Sequence, residues 1–493
     1  MKKLVCVVLT LALLVTLTGA LGGCEREKKP LTILVDLANG LQQHKLGNPE
    51  IFIFEDDDQI NGEMKDWLLH AKEVTGIEDI ELEILPAGGA ERSSRMTRLR
   101  TEMMSGQGPD VFIVAHTLAY DDRTDSVENI SVFLMPEKSM NLGLFYPLDD
   151  FIENAQYMEW DKLNQNIMAA GRSEEYGQVL LPLFYELPIT LFPKSLVEHT
   201  PSKDLTWEDM IGDETKIMQA AASSFWMGSA SPLYAGTEVF GRLADYKNKK
   251  MCFTEEELLQ RYQELKEMDA KQFDGSFDDI PLYYKTKSYS SLTWLYGSSI
   301  FGPYLNAPED YPFDSRSYRG LAYSDFLLQE LYTADWSSTP FDASAVDKEV
   351  TMIPAYSDDG GVTASVRAFA AINANTKRPE DAFTVLDYLF SERCMYLDGG
   401  VYSAFACAGM PVRDDMIQKT SRAIWHGDME PANYEEYKRL TDCITTVTFA
   451  DTISLELNRA LWELYCIDER GMDGDPEEIV HSHYTRMKRA LSE

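Results

Sequence analysis

The most evident chemistry in this chain belongs to aromatic rings set among small polar neighbours. Trp226 lies in Ser-Ser-Phe-Trp-Met-Gly, Trp294 and Tyr296 in Thr-Trp-Leu-Tyr-Gly-Ser-Ser, and Tyr356 in Pro-Ala-Tyr-Ser-Asp-Asp-Gly-Gly. Flat rings beside hydroxyl and amide groups suit the apolar face and polar rim of a pyranose. Each ring also has a competing role as core, where single aromatics more often reside. His116, Thr117 and Tyr120 form a second group, in a polar stretch directly after an apolar run. A lone histidine there serves more readily as a hydrogen-bonding loop residue than as a metal ligand. Other chemistries lack their motifs: the chain has no GxSxG, HExxH, Gly-rich phosphate loop or CxxC pair. Asp149-Asp150 and Asp358-Asp359 read as turn formers, although a glycosidase needs two carboxylates of its own. His481 and His483, two apart on a helix, do not share a face, and Asp56-Asp57-Asp58 lacks the spacing of a calcium loop. The expectation is a binding protein, not an enzyme, with no cofactor and no metal.

The elements that must position these residues centre on Ser105-Gly106-Gln107-Gly108-Pro109-Asp110-Val111-Phe112-Ile113-Val114-Ala115-His116. Before this stretch, Met96, Leu99, Met103 and Met104 recur at helical spacing. Gly106, Gly108 and Pro109 stop that helix, and Val111 to Ala115 reads as a strand buried on both faces, as in a parallel sheet. Ligands in open α/β sheets sit beyond the carboxyl ends of strands, here Ala115 to Asp122. Leu31 to Asp36 and the alternating Ile80 to Leu85 give two earlier strands, with a helix over Glu63 to Val74 between them. That order is an α/β layout. Further strands are expected at Val179 to Leu183, Leu187 to Phe192, Val350 to Pro354 and Ala368 to Ile372. Thr206 caps a helix with acids in its first turn, and Pro379-Glu380-Asp381 opens another. Val480 to Leu491 reads as a closing surface helix, while Phe273 to Ala345 gives only a weak pattern.

Composition narrows the class. The chain has 493 residues and a formal net charge of −36, which argues against nucleic acid and anionic headgroups as partners. Lys2 and Lys3 precede an apolar run from Leu4 to Leu17 and then small residues, the pattern of a secretory signal over 1–23. It ends in Leu21-Gly22-Gly23-Cys24, which resembles the bacterial lipobox, so Cys24 is the expected lipidation site and 24–30 a tether. No later stretch approaches ~18 consecutive apolar residues. Cys252, Cys394, Cys407, Cys443 and Cys466 are odd in number and widely spaced, which is no disulfide framework.

These motifs together resemble the family 1 extracellular solute-binding proteins of ABC importers, the family of the maltose-binding protein. Thr75-Gly76-Ile77, Ser105 to Val111, Tyr176-Gly177-Gln178 through Pro182 and Leu191-Phe192-Pro193-Lys194 are similar to its landmarks, in its order. So are Thr206-Trp207-Glu208-Asp209 and Phe369-Ala370-Ala371-Ile372-Asn373 followed by Pro379 to Arg393. The resemblance implies an α/β, two-lobed periplasmic-binding-protein-like fold of class II with mostly parallel sheets and a hinge. It implies one lobe from 31–187 plus about 345–400 and a second from 188–344 plus about 401–493. Matched residue by residue, it also puts Glu186 on a ligand-contacting carboxylate, with a salt-bridged strand end as the competing role. Val114, Thr117, Phe192 and Pro193 depart from the maltose-binding protein, so maltodextrin is not implied. The implied function is a monomeric, lipid-anchored protein on the outer face of the cell membrane. It would capture a solute, most simply a carbohydrate, and deliver it to ABC importer permease subunits. A peptide, polyamine or metal complex as solute, a ligand sensor, and a secreted carbohydrate-active enzyme are the competing readings.

Overall fold

The computed structural model describes residues 29–36, 57–86, 89–115, 131–194, 198–224, 238–273, 276, 291–294, 350–396, 410–415, 431–470 and 473–493. The first half runs β1 (Leu31–Asp36), α1 (Asp57–Thr75), β2 (Ile80–Ile84), α2 (Gly89–Met104), β3 (Val111–Ala115) and α3 (Pro136–Asn141). After it come β4 (Arg172–Ser173), β5 (Gly177–Gln178), β6 (Leu180–Glu186), β7 (Pro188–Pro193), α4 (Trp207–Ile211), α5 (Ile217–Ser224), β8 (Ala244–Asp245) and β9 (Lys250–Met251). Then follow α6 (Glu255–Phe273), β10 (Ser291–Trp294), β11 (Val350–Pro354), β12 (Val362–Ile372) and α7 (Pro379–Leu389). The chain closes with β13 (Met410–Pro411), α8 (Pro431–Asp442), β14 (Ile444–Phe449), α9 (Thr452–Arg470) and α10 (Pro476–Ser492).

Two sheets organise these elements. A seven-stranded sheet has the order β13-β6-β12-β3-β1-β2, with β14 added on β12, and β10-β7-β11 form a separate three-stranded sheet. The β1–β2 and β1–β3 pairs are parallel, as the alternation of strand and helix predicts. The β3–β12 and β6–β12 pairs are antiparallel, so the sheet is mixed. At the edge, β2 buries Ile80 and exposes Glu81, whereas β3 and all eleven residues of β12 are buried. This contrast is what alternating and continuous apolar patterns produce.

One strand boundary differs from the sequence expectation. β12 begins at Val362 and not at Ala368, because Arg367 has a buried counter-charge and need not end the strand. β11, inside the segment from about 345 that the resemblance gives to the first lobe, pairs with β7 in the three-stranded sheet. β13 lies past the expected boundary near 400 yet pairs with β6 on the large sheet.

The Ser105–Asp110 turn is fastened from the far end of β12. Asn373 Nδ2 donates to the carbonyls of Gln107 at 3.1 Å and Pro109 at 2.9 Å. Asp110 accepts from Thr32 N at 2.9 Å and from the Thr376 hydroxyl at 2.5 Å. Gly108 holds φ at +106°, a conformation that L side chains avoid, and this is why glycine stands there. Trp207 is buried and Thr206 caps α4 in a complete capping box. Replacing Gly108 with Ala is expected to cost about 1–3 kcal/mol. Urea unfolding would show this as a lower midpoint with an unchanged slope.

Candidate functional site

Three chain segments pass from one sheet region to the other at a single place. The first is Leu187, between β6 and β7. The second is 355–361, between β11 and β12, and the third leaves β14 into α9. The first two are joined by Ala355 N donating to Pro188 O at 3.0 Å, and the third is held to β12 by Ala450 N donating to Val366 O at 3.3 Å. β12 changes partners here, pairing with β14 through Val366 and with β3 and β6 from Ala368 onward. Arg367 is the residue at the change, and its guanidinium pairs with the Glu186 carboxylate at the end of β6. Both side chains are buried to within 1–2% of complete coverage. Burial presses the Arg367 pKa downward, yet a guanidinium holds its proton, and Glu186 supplies the opposing charge. This geometry matches the salt-bridged strand end and not a carboxylate open to a ligand.

Several strand ends converge on the same place. β3 ends at Ala115, which pairs with Ala368. His116, Thr117 and Tyr120, which follow it in sequence, lie outside the described residues. In β10, the backbone of Trp294 pairs with Pro188, just past the Leu187 crossing. Trp226, Tyr296 and Cys24 also lie outside the described residues. At the end of β1, Asp36 is already committed: it accepts from Arg92 Nη2 at 2.9 Å and from Val132 N at 3.0 Å.

Tyr356 serves the crossing itself. Its ring is buried, its hydroxyl lies 2.8 Å from His199 Nε2, and the rings meet edge to face. Burial raises the phenol pKa and lowers that of the imidazole. A neutral His199 whose Nε2 accepts a hydrogen bond from the phenol hydroxyl satisfies both groups. Beyond it the chain turns tightly through Gly361, at φ +73°, where a Cβ would come within 2.5 Å of Thr445 Cγ2. Sequence reasoning missed Arg367, whose one visible signal is a lone cation inside the apolar Val366 to Ile372 run. An open groove of about 700 Å³ beside Asp149, Arg172, Glu174 and Tyr176 lies on the β4–β5 hairpin, and none of its lining residues belongs to a crossing segment.

No protein-family model matches the chain, and no curated protein matches it in sequence. Among solved structures it is similar to an extracellular solute-binding protein family 1 member from Alicyclobacillus acidocaldarius. That match is 12% identical, covers 95% of this chain and 100% of the other, and has a TM-score of 0.51. It is also similar to a periplasmic oligogalacturonide-binding protein from Yersinia enterocolitica, at 12% identity, 94% and 98% coverage and a TM-score of 0.48. A third match is a cyclic alpha-maltosyl-1,6-maltose-binding protein from Arthrobacter globiformis, at 14% identity, 94% and 98% coverage and a TM-score of 0.46. The first match shows the fold, which is the two-lobed fold of extracellular solute-binding proteins; the other two fall below one half and add nothing to it. Among the described residues, no helix is long and apolar enough to cross a membrane.

The Glu186–Arg367 pair gives a direct test. Removing one member of a buried pair leaves an uncompensated charge and costs about 3–5 kcal/mol, whereas replacing both with apolar groups is often neutral. Arg367→Met alone is expected to lower the denaturation midpoint strongly. The Glu186→Leu/Arg367→Met double variant recovers most of that loss in the same urea titration.

Proposed function

We propose that the chain is a lipid-anchored solute-binding protein of an ABC importer, a member of the family 1 extracellular binding proteins, and that its solute is a carbohydrate. The observation that carries this reading is the group of three crossings, with β3 ending beside them at Ala115, opposite Ala368. A two-lobed protein hinged on such crossings closes around its ligand and opens to release it, with no bond made or broken. In this reading the first lobe comprises 31–187 with 362–396 and β13. The second comprises 188–354 with α8 to α10, and 355–361 and β14 belong to the hinge. His116, Thr117, Tyr120, Trp226, Trp294 and Tyr296 are the proposed solute contacts. Glu186 and Arg367 form the neutral floor between the lobes, and Tyr356 braces the return crossing. Trp294 has the strongest geometric support, because its backbone sits beside the Leu187 crossing.

Delivery to permease subunits and anchoring through Cys24 belong to the same proposal. They are supported by the signal-like N-terminus and the Leu21-Gly22-Gly23-Cys24 sequence. Replacing Cys24 with Ser is expected to move the protein from the membrane fraction to the medium, as read by immunoblotting. Recovery of the variant in the membrane fraction would remove the anchor.

The function is tested by thermal denaturation against panels of oligosaccharides, peptides, polyamines and metal chelates. A ligand at a hundred times its dissociation constant stabilises by about 2.7 kcal/mol. A sugar is expected to raise the transition, and Trp294→Ala to weaken that sugar's binding about tenfold or more by calorimetry. Shifts from non-sugars alone overturn the carbohydrate assignment, and turnover of an oligosaccharide overturns the binding role.

A further inference from the structure

An ionisable cluster lies where α3 meets the β8–β9 hairpin and the start of α9. Glu137, on α3, has a side chain only 16% exposed and accepts from Arg242 Nη2 at 3.0 Å. From the hairpin, the Tyr246 hydroxyl donates to the buried carboxylate of Asp451. Asp451 also accepts from Ser454 N at 2.9 Å, capping α9. Alongside, Leu134 O accepts from Thr452 N at 3.0 Å and from its hydroxyl at 3.2 Å. Under the lobe division proposed above, on which this inference rests, α3 lies in the first lobe and the hairpin and α9 in the second. The Glu137–Arg242 and Leu134–Thr452 contacts therefore span the junction, while Tyr246 and Asp451 pair within the second lobe behind them.

The charges do not balance. Three carboxylates, Glu137, Asp245 and Asp451, act around one guanidinium, Arg242, and one phenol, Tyr246. Lys138, next to Glu137 on α3, feels Lys249 from the hairpin and Glu493 from the C-terminus. Lys247 reaches across to Glu174 at the exposed margin. One proton on the cluster relieves the excess of negative charge at a site largely shielded from water.

We propose that this junction is a proton-linked clasp, in which the lobes engage here with a proton on Glu137 and disengage by releasing it. Burial pushes the Glu137 carboxyl up to about 7, against the opposing pull of Arg242, and burial also raises Asp451. A Glu137 exposed by opening would titrate near 4.5. The clasped state thus binds more protons between those values, and engagement weakens as pH rises through that window. The difference limits the effect to roughly 300-fold.

The Thr452 amide reports on the clasp because its acceptor lies across the junction. Its hydrogen exchange is measured in the solute-free protein from about pH 5 to about pH 8, with each rate divided by the intrinsic rate at that pH. Over that range protection should fall by up to roughly 70-fold in the wild type and stay within about threefold in Glu137→Gln. Arg242→Gln, which removes the opposing cation, should move the fall to higher pH. A wild-type profile that stays flat, or a Glu137→Gln profile that falls equally, overturns the clasp. If Glu137→Gln does not fold by circular dichroism, the Arg242→Gln midpoint decides, and an unmoved midpoint overturns it. Protection of Thr452 equal to that of the β12 amides at every pH overturns the lobe division instead.

Discussion

A buried guanidinium in the interior of a strand is tolerable only where a counter-charge is fixed beside it. Arg367 occupies such a position: β12 leaves β14 on one side of it and takes up β3 and β6 on the other. Glu186 supplies the charge from the last residue of β6, immediately before the chain departs for β7. The contact ties two neighbouring strands of the large sheet at the point where the chain leaves it for β7. The hydrogen bonds from Ala355 to Pro188 and from Ala450 to Val366 bind the crossing segments around it. Low local dielectric makes such a contact costly to break, which favours a fixed pivot over a loose linker.

The remainder of the large sheet is braced from a distance. Asn373 and Thr376, just beyond β12, hold the turn that ends α2 and begins β3. β3 is therefore fixed at one end by this turn, and at the other it opens toward the crossing. Asp387 plays a similar part, accepting from the backbone amides of Gln156, Tyr157 and Met158 and tying α7 to the segment before β4. Polar groups buried in this way specify one arrangement of the elements because each has few alternative partners.

Much of this architecture is legible in the residues. Gly106, Gly108 and Pro109 announce the end of a helix, Val111 to Ala115 a buried strand, and Thr206 and Pro379 two helix starts. These are local signals, and local physics sets them. The pairing of Glu186 with Arg367 is different, because it joins positions far apart in the chain, and nothing near Glu186 indicates its partner. For the same reason β12 reads from the sequence as a short strand starting after the arginine. Tyr356 illustrates a second limit: its loop-like Pro-Ala-Tyr-Ser context suits a ligand platform, yet the ring is buried against His199. Exposure depends on what packs from elsewhere, and a short sequence window does not contain that information.

The sheet order also bears on how the chain folds. β12 bonds to β3, β6 and β14, so the seven-stranded sheet is not complete until the chain has been made as far as Phe449. Contacts of such long sequence separation carry a high loop-closure cost and slow folding. A nascent chain that has made β1, α1, β2, α2 and β3 has an open edge at β3 and no strand yet to pair with it. That edge stays unpaired until β12, about 250 residues later, has been made. The topology that builds the pivot thus also sets a late point for closing the sheet.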